Sequence, residues 1–305
     1  MNKKLLMTLT SVGVGVVMLA GTAFASVRQT TGYEAYKLAV KKTIESKSFT
    51  GKFEASLKDN DVALAEFDSI IKLNDSTEKL SGKIIIKANG QEKALDTFIQ
   101  DDKVIFKVNE DEEDNYYVAK EDGLEKNVEK EFESEEYDSE AAKVGEMIID
   151  YLAGNMKNYF EVEENADGSK EISFQLSGSQ IPSVVNAVAS LGIKDAAKDN
   201  TEDKSRESLP FGKDIKVNFP KLTRDIRIDN VNIKADVNEN NVIESQIAGI
   251  TILGKDAGGK EHKVVISMDM SLYDIGNTTP DTINLEGKNV KELKPEDFKD
   301  RDCQE

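Results

Sequence analysis

The chain has no tryptophan, one histidine, one cysteine and five prolines in 305 residues, and each shortage removes a class of chemistry. One cysteine excludes any intramolecular disulfide, so a core must hold by burial alone. One histidine with a distant cysteine leaves no thiolate or histidine-rich zinc cluster, no supported Cys/His pair and no Ser-His-Asp triad. Without tryptophan the strongest sugar-stacking side chain is missing. His262 lies beside Gly258-Gly259 and reads as a solvated turn residue; Cys303, in the polar run Lys299 to Glu305, reads as an incidental exposed thiol.

Basic charge is scarce as well. Lysine and arginine total 40 against 58 aspartates and glutamates, a formal charge of −18, and no basic cluster stands out. Binding to nucleic acid or to an anionic membrane surface requires such a cluster, so neither is expected. The acidity reads as solubility.

Two motif fragments fail on inspection. Ser69 and Lys72 have a serine/lysine spacing, but on a strand residues three apart face opposite ways. Asp167-Gly168 resembles part of a calcium loop, yet its twelfth position is Phe174 where a bidentate glutamate is required. No catalytic residue, metal ligand or cofactor site is assigned. A carboxylate-based hydrolase stays as the weaker alternative.

What the chain does have begins with its leader. Lys3 and Lys4 precede an apolar run from Leu5 to Ala20, and Ala23-Phe24-Ala25 supplies the small-x-small pattern of a signal-peptidase site. Thr8, Thr10, Ser11, Gly13, Gly15, Gly21 and Thr22 dilute the run, no stop-transfer cluster follows, and no cysteine marks a lipoprotein. Residues 1–25 are expected to be a cleaved signal peptide of a secreted or extracytoplasmic protein; the alternative is an N-terminal membrane anchor. Loss of Lys3 and Lys4 takes the formal charge from −18 to −20.

Thr31-Gly32-Tyr33-Glu34 has capping-box spacing, and Tyr33, Tyr36, Val40 and Ile44 form one stripe of a first helix. From Ser48 the period becomes two. Phe49, Phe53 and Leu57 alternate with polar residues up to Asp59-Asn60-Asp61, and strands follow at Leu64 to Leu73, Leu80 to Ala88, Gln91 to Ile99, around Phe106 and at Tyr116 to Ala119. Asn89-Gly90 predicts a tight hairpin turn. A second helical stripe carries Val144, Ile148, Tyr151 and Leu152; a hairpin turns at Asp167-Gly168, and a short helix opens at Pro182. Three long strands close the pattern, with a bulge expected at Asp229-Asn230 and an irregular tail from Thr278.

The first helix with Tyr33-Glu34-Ala35-Tyr36, the strand opening Ser48-Phe49-Thr50-Gly51, and the closing strands around Asp256-Ala257-Gly258-Gly259-Lys260-Glu261-His262 resemble secreted Gram-positive proteins of the LolA/LppX-like, lipoprotein-carrier-like superfamily. The resemblance implies an unclosed antiparallel barrel with helices on its concave side and an apolar cavity for a lipid or a lipoprotein acyl chain.

The expected fold is therefore α+β: a large curved antiparallel sheet, an unclosed barrel, with helices packed on its concave face. Residues 26–290 form one domain with polar loops near 121–139 and 194–209, and 291–305 form a polar tail. The expected function is an exported, noncatalytic binding protein with an apolar pocket for a lipid-like or acylated ligand. Candidate ligand-facing residues are Phe49, Phe53, Leu57, Phe106, Ile233 and Ile266. The alternative is a cell-envelope protein-interaction or sensor module acting through sheet edges or the 121–139 segment. N-terminal sequencing of protein recovered outside the cell checks the leader: the expected first residue is Ser26, and recovery of intact Met1 in the membrane fraction would favour the anchor.

Overall fold

Alternation of apolar and polar residues, punctuated by Asn, Asp and Gly, makes most of the described residues strand. A computed structural model describes residues 32–110, 113–120, 157–183, 186, 187, 190 and 217–293. One α-helix, α1 (Gly32–Ile44), precedes β1 (Ser48–Asp59), β2 (Val62–Asn74), β3 (Lys79–Ala88), β4 (Gln91–Gln100), β5 (Lys103–Glu110) and β6 (Glu113–Lys120). Then come β7 (Phe160–Glu164), β8 (Lys170–Ser177), β9 (Arg224–Val237), β10 (Ile243–Lys255), β11 (Glu261–Tyr273) and the short β12 (Val290–Glu292). Asn89-Gly90 turns as expected, with both residues at positive φ; Asn60-Asp61 and Asp101-Asp102 do the same, because Asn and Asp tolerate the left-handed region.

The strands form one sheet in the order β12-β6-β5-β4-β3-β2-β1-β11-β10-β9-β8-β7. It consists of two antiparallel meanders, β1–β6 and β7–β11, joined where β1 pairs antiparallel with β11 from Thr50↔Tyr273 to Asp59↔Val264. The end strands do not pair with each other, so the sheet is unclosed. On β9, Thr251 faces Asn230 and Ile252 faces Ile228, which leaves Asp229 as the bulged residue. The large antiparallel sheet is present; of the helices expected on its concave face, α1 is the one seen packed there among the described residues. Only α1 is described in full, residues 183, 186, 187 and 190 are helical, and the stripe from Val144 to Leu152 and the 121–139 and 194–209 segments lie outside the described residues. Among the described residues no helix is long and apolar enough to cross a membrane.

Helix α1 packs on the inner face against β7, β8 and β10. Tyr33, Tyr36 and Val40 are buried as the stripe predicts, but Ile44 is 52% exposed. Thr43 takes the inward place: its hydroxyl donates to Ala39 O and accepts from Ile243 N–H on β10. Tyr36 is buried to 1% and donates to Gln246 Oε1 at 2.9 Å, and the rings of Tyr33 and Tyr36 meet Phe160, which stacks on Phe174. Gly32 lets the helix start touch the β7 backbone, since a Cβ there would lie 2.5 Å from Phe160 O. One continuous cluster gathers Tyr36, Val40, Phe49, Phe53, Ile99, Phe106, Ile172, Ala235, Met270 and Leu293 from both meanders.

The stretch after β11, expected to be irregular, is a strap across the outer face. Thr278 and Thr50 hydroxyls lie 3.1 Å apart, Asp281 N–H donates to Ser81 Oγ and the Asp281 carboxylate meets Lys72, and the Gln100 amide both donates to Ile283 O and accepts from its N–H. Lys288 reaches the Tyr116 hydroxyl, and β12 pairs parallel with β6 before Leu293 N–H donates to Val118 O. These contacts run along one row of outward positions. That is why Thr50, Ser81 and Ile105 are buried on the face opposite the core. The boundary expected at 290 falls at the first residue of β12.

Burial pushes the Tyr36 hydroxyl up to about 12 from its ordinary 10.0, against a smaller downward pull from the Gln246 hydrogen bond. A raised folded value favours the neutral phenol, so its contribution to stability is full below pH 10.0 and declines as pH climbs toward about 12. Tyr36→Phe should cost about 1–3 kcal/mol at neutral pH, because Gln246 loses a partner inside the core. The variant should also lack that alkaline decline; urea titrations at neutral pH and near pH 11 read both effects.

Candidate functional site

The six candidate residues share one face of the sheet. Phe49, Phe53 and Leu57 alternate along β1, and the register carries their side through Gly51↔Ile71 and Ile71↔Gly82 to Thr97↔Phe106 on β5. In the other direction Leu57↔Ile266 leads to Ile266↔Ile250 and Ile250↔Val231, while Met268↔Ala248 leads to Ala248↔Ile233. Strand periodicity fixes this common orientation.

Their surroundings divide them. Phe49, Phe53 and Phe106 are buried in the central cluster, whereas Leu57, Ile233 and Ile266 are only half-buried. The half-buried set also includes Phe67 on β2, Ile84 and Ile86 on β3, Leu95 on β4 and Ile250 on β10, all on the same face. The inner face therefore has a filled part, where α1 and the central cluster sit, and an apolar part still partly open to solvent. Within the filled part the Ser69 hydroxyl, opposite Phe53 and Ile84, is buried with no hydrogen-bond partner among the described residues. Lys72 points to the other face and meets Asp281, as the strand argument required.

His262 is not a solvated turn residue. Its position in β11 is inward, and its side chain is 8% exposed. Nδ1 lies 2.7 Å from Asp59 Oδ2, the Asp59 side chain is 14% exposed, and Nε2 lies 3.6 Å from Asp256 Oδ2. The Gly258-Gly259 turn folds back to make this enclosure: Asp256 Oδ1 accepts from Lys260 N–H, and Arg224 holds the Asp256 and Ala257 carbonyls. The hydrogen bond from Lys260 N–H, with a smaller contribution from His262, keeps the Asp256 carboxyl below its ordinary range.

An aspartate-oriented imidazole is the arrangement that acid–base catalysts use. Among the described residues, Nε2 and Asp59 Oδ1 are both buried without a hydrogen-bond partner, and Nε2 faces a second carboxylate. What the cluster does is tie the end of β1 to the β10–β11 turn at one end of the β1–β11 pairing. Among the described residues no group of three or more His, Cys, Asp or Glu side chains is placed to hold a metal ion.

Removing one partner of a buried pair strands the other, so His262→Ala should cost about 3 kcal/mol. Adding Asp59→Asn to it should cost less than the two single losses combined. A double-mutant cycle by chemical denaturation measures the coupling, and additive losses would show that the pair does not act as a unit.

No family model matches the chain, and no curated protein matches it. Among solved structures it has a likeness to the beta-barrel-like protein of domain of unknown function DUF1849 from Brucella abortus, at 9% identity over 75% of this chain and 100% of that chain, with a TM-score of 0.18.

Proposed function

We propose that this chain is an exported, noncatalytic binding protein that takes a lipid-like or acylated ligand on the inner face of its sheet. The observation that carries the reading is the half-buried apolar part of that face, where Leu57, Phe67, Ile84, Ile86, Ile233, Ile250 and Ile266 come together from both meanders. Phe67 and Ile233 rest against the central cluster, and Leu57 and Ile250 against Leu222, Ile226, Ile252 and Val264, each leaving apolar surface open to solvent. Sites for small apolar ligands are concave and lined by aliphatic and aromatic residues, with polar groups few. On this reading Leu57, Ile233 and Ile266 contact the ligand, while Phe49, Phe53 and Phe106, on the same face, belong to the filled part beside it that α1 covers.

Titration of the purified chain with a fluorescent fatty acid tests the proposal. Saturable binding is expected, and Ile266→Trp should weaken it about tenfold by filling the space a chain methylene would occupy, with little change in unfolding midpoint. Native mass spectrometry of protein recovered from the cell exterior should show a co-purifying apolar ligand. Absence of binding to acyl probes, together with a mass equal to that of the bare chain, would overturn it.

A further inference from the structure

The two ends of the sheet are finished differently. At one end the chain covers β6 with its own β12 and anchors the cover with Leu293, a member of the central cluster. At the other end β7 pairs with β8 on one side and with no strand on the other among the described residues. The start of α1 lies against this strand at Phe160, where a Cβ on Gly32 would be 2.5 Å from Phe160 O; beyond that point the edge presents backbone donors and acceptors with no paired strand among the described residues, a template for a further strand.

The side chains of β7 state what that strand would look like. Phe160 and Val162 face inward and are half-buried, while Glu161 and Glu163 face outward and are exposed. Glu164 is exposed at the strand's end. Behind them Glu163 lies opposite Glu171, and Glu171 lies opposite Asp236, so three carboxylates stand in one cross-strand row leading to the edge. Lys234 is committed to Glu171 at 2.9 Å, and Lys170 is turned to Gly168 O and Asn241 Oδ1. No ion pair reaches Glu161, Glu163 or Glu164 among the described residues. Tyr159, just before the strand, leaves an aromatic ring 36% exposed beside it.

A second copy of this chain pairing β7 to β7 would set carboxylate against carboxylate, and like charges directly opposite each other oppose pairing. A strand with lysine or arginine at the outward positions and apolar residues at the inward ones would satisfy both rows together. The geometry points to β7 as a strand-addition site for an extended segment of a partner protein in which basic and apolar residues alternate. Main-chain hydrogen bonds supply affinity in this mode, and the alternating side chains supply selectivity. The site is separate from the proposed apolar ligand site and stands whether or not that ligand binds.

The test uses the full chain with a short alternating lysine–valine peptide, and a glutamate–valine peptide of equal length as control, followed by amide hydrogen exchange. The lysine–valine peptide should slow exchange of the Val162 and Glu164 amides, which face away from β8, about tenfold or more, with affinity falling as salt rises. Glu161→Lys combined with Glu163→Lys should abolish that protection while leaving the unfolding midpoint unchanged, since both side chains are exposed. Four results would overturn the proposal: Val162 and Glu164 amides already protected without peptide, protection induced elsewhere only, equal binding of the glutamate–valine peptide, or undiminished binding after charge reversal.

Discussion

The pairing of β1 with β11 is the contact on which the architecture depends. Within each meander strands pair in chain order, and every connection but the long one between β8 and β9 is a short turn, so most of the pairing is local and its loop-closure cost is low. The β1–β11 ladder instead joins residues 50–59 to residues 264–273, and it is the step that turns two meanders into one sheet. Without it the inner apolar rows would be two separate surfaces, each too shallow to surround α1. With it, Phe53 is opposite Met270, and Met270 is opposite Gln246, the residue that accepts from Tyr36. Helix anchoring and sheet assembly thus meet on one row of side chains.

Much of this fold is legible in the sequence because strand and turn signals are local. Asn89-Gly90, the Asp229 bulge and the alternation along β1 all follow from residues within a few positions of one another. Features set by distant partners were not legible. Nothing near Thr43 shows that its hydroxyl will receive Ile243 N–H and displace Ile44 from the inward stripe. Nothing in the polar stretch after Thr278 shows that Ser81 and Gln100, on other strands, will supply hydrogen bonds that a regular element would make for itself.

The candidate site divides along the same line. Alternation placed Phe49, Phe53, Leu57, Phe106, Ile233 and Ile266 on one face, and the same rule applied to β2 and β3 would have added Phe67, Ile84 and Ile86. Which of them are buried and which half-open depends on where α1 lands and on what the register brings alongside. The surroundings of His262 are hidden from the sequence for a related reason. Its neighbours Gly258 and Gly259 signal a turn, but the residue already belongs to the inward phase of β11, and its partner Asp59 is supplied by a strand some two hundred positions earlier.

The strap that ends in β12 bears on the order in which the chain can mature. During synthesis from the N-terminus, β1 to β6 emerge first, yet both outer edges of that meander await residues far along the chain: β1 waits for 261–273 and β6 for 290–293. Until then the early half exists as a hairpin series with two open borders and an unpartnered apolar face. A chain arranged in this way closes both borders of its early half only once Leu293 has been made, so shorter lengths keep those borders open to wrong pairing.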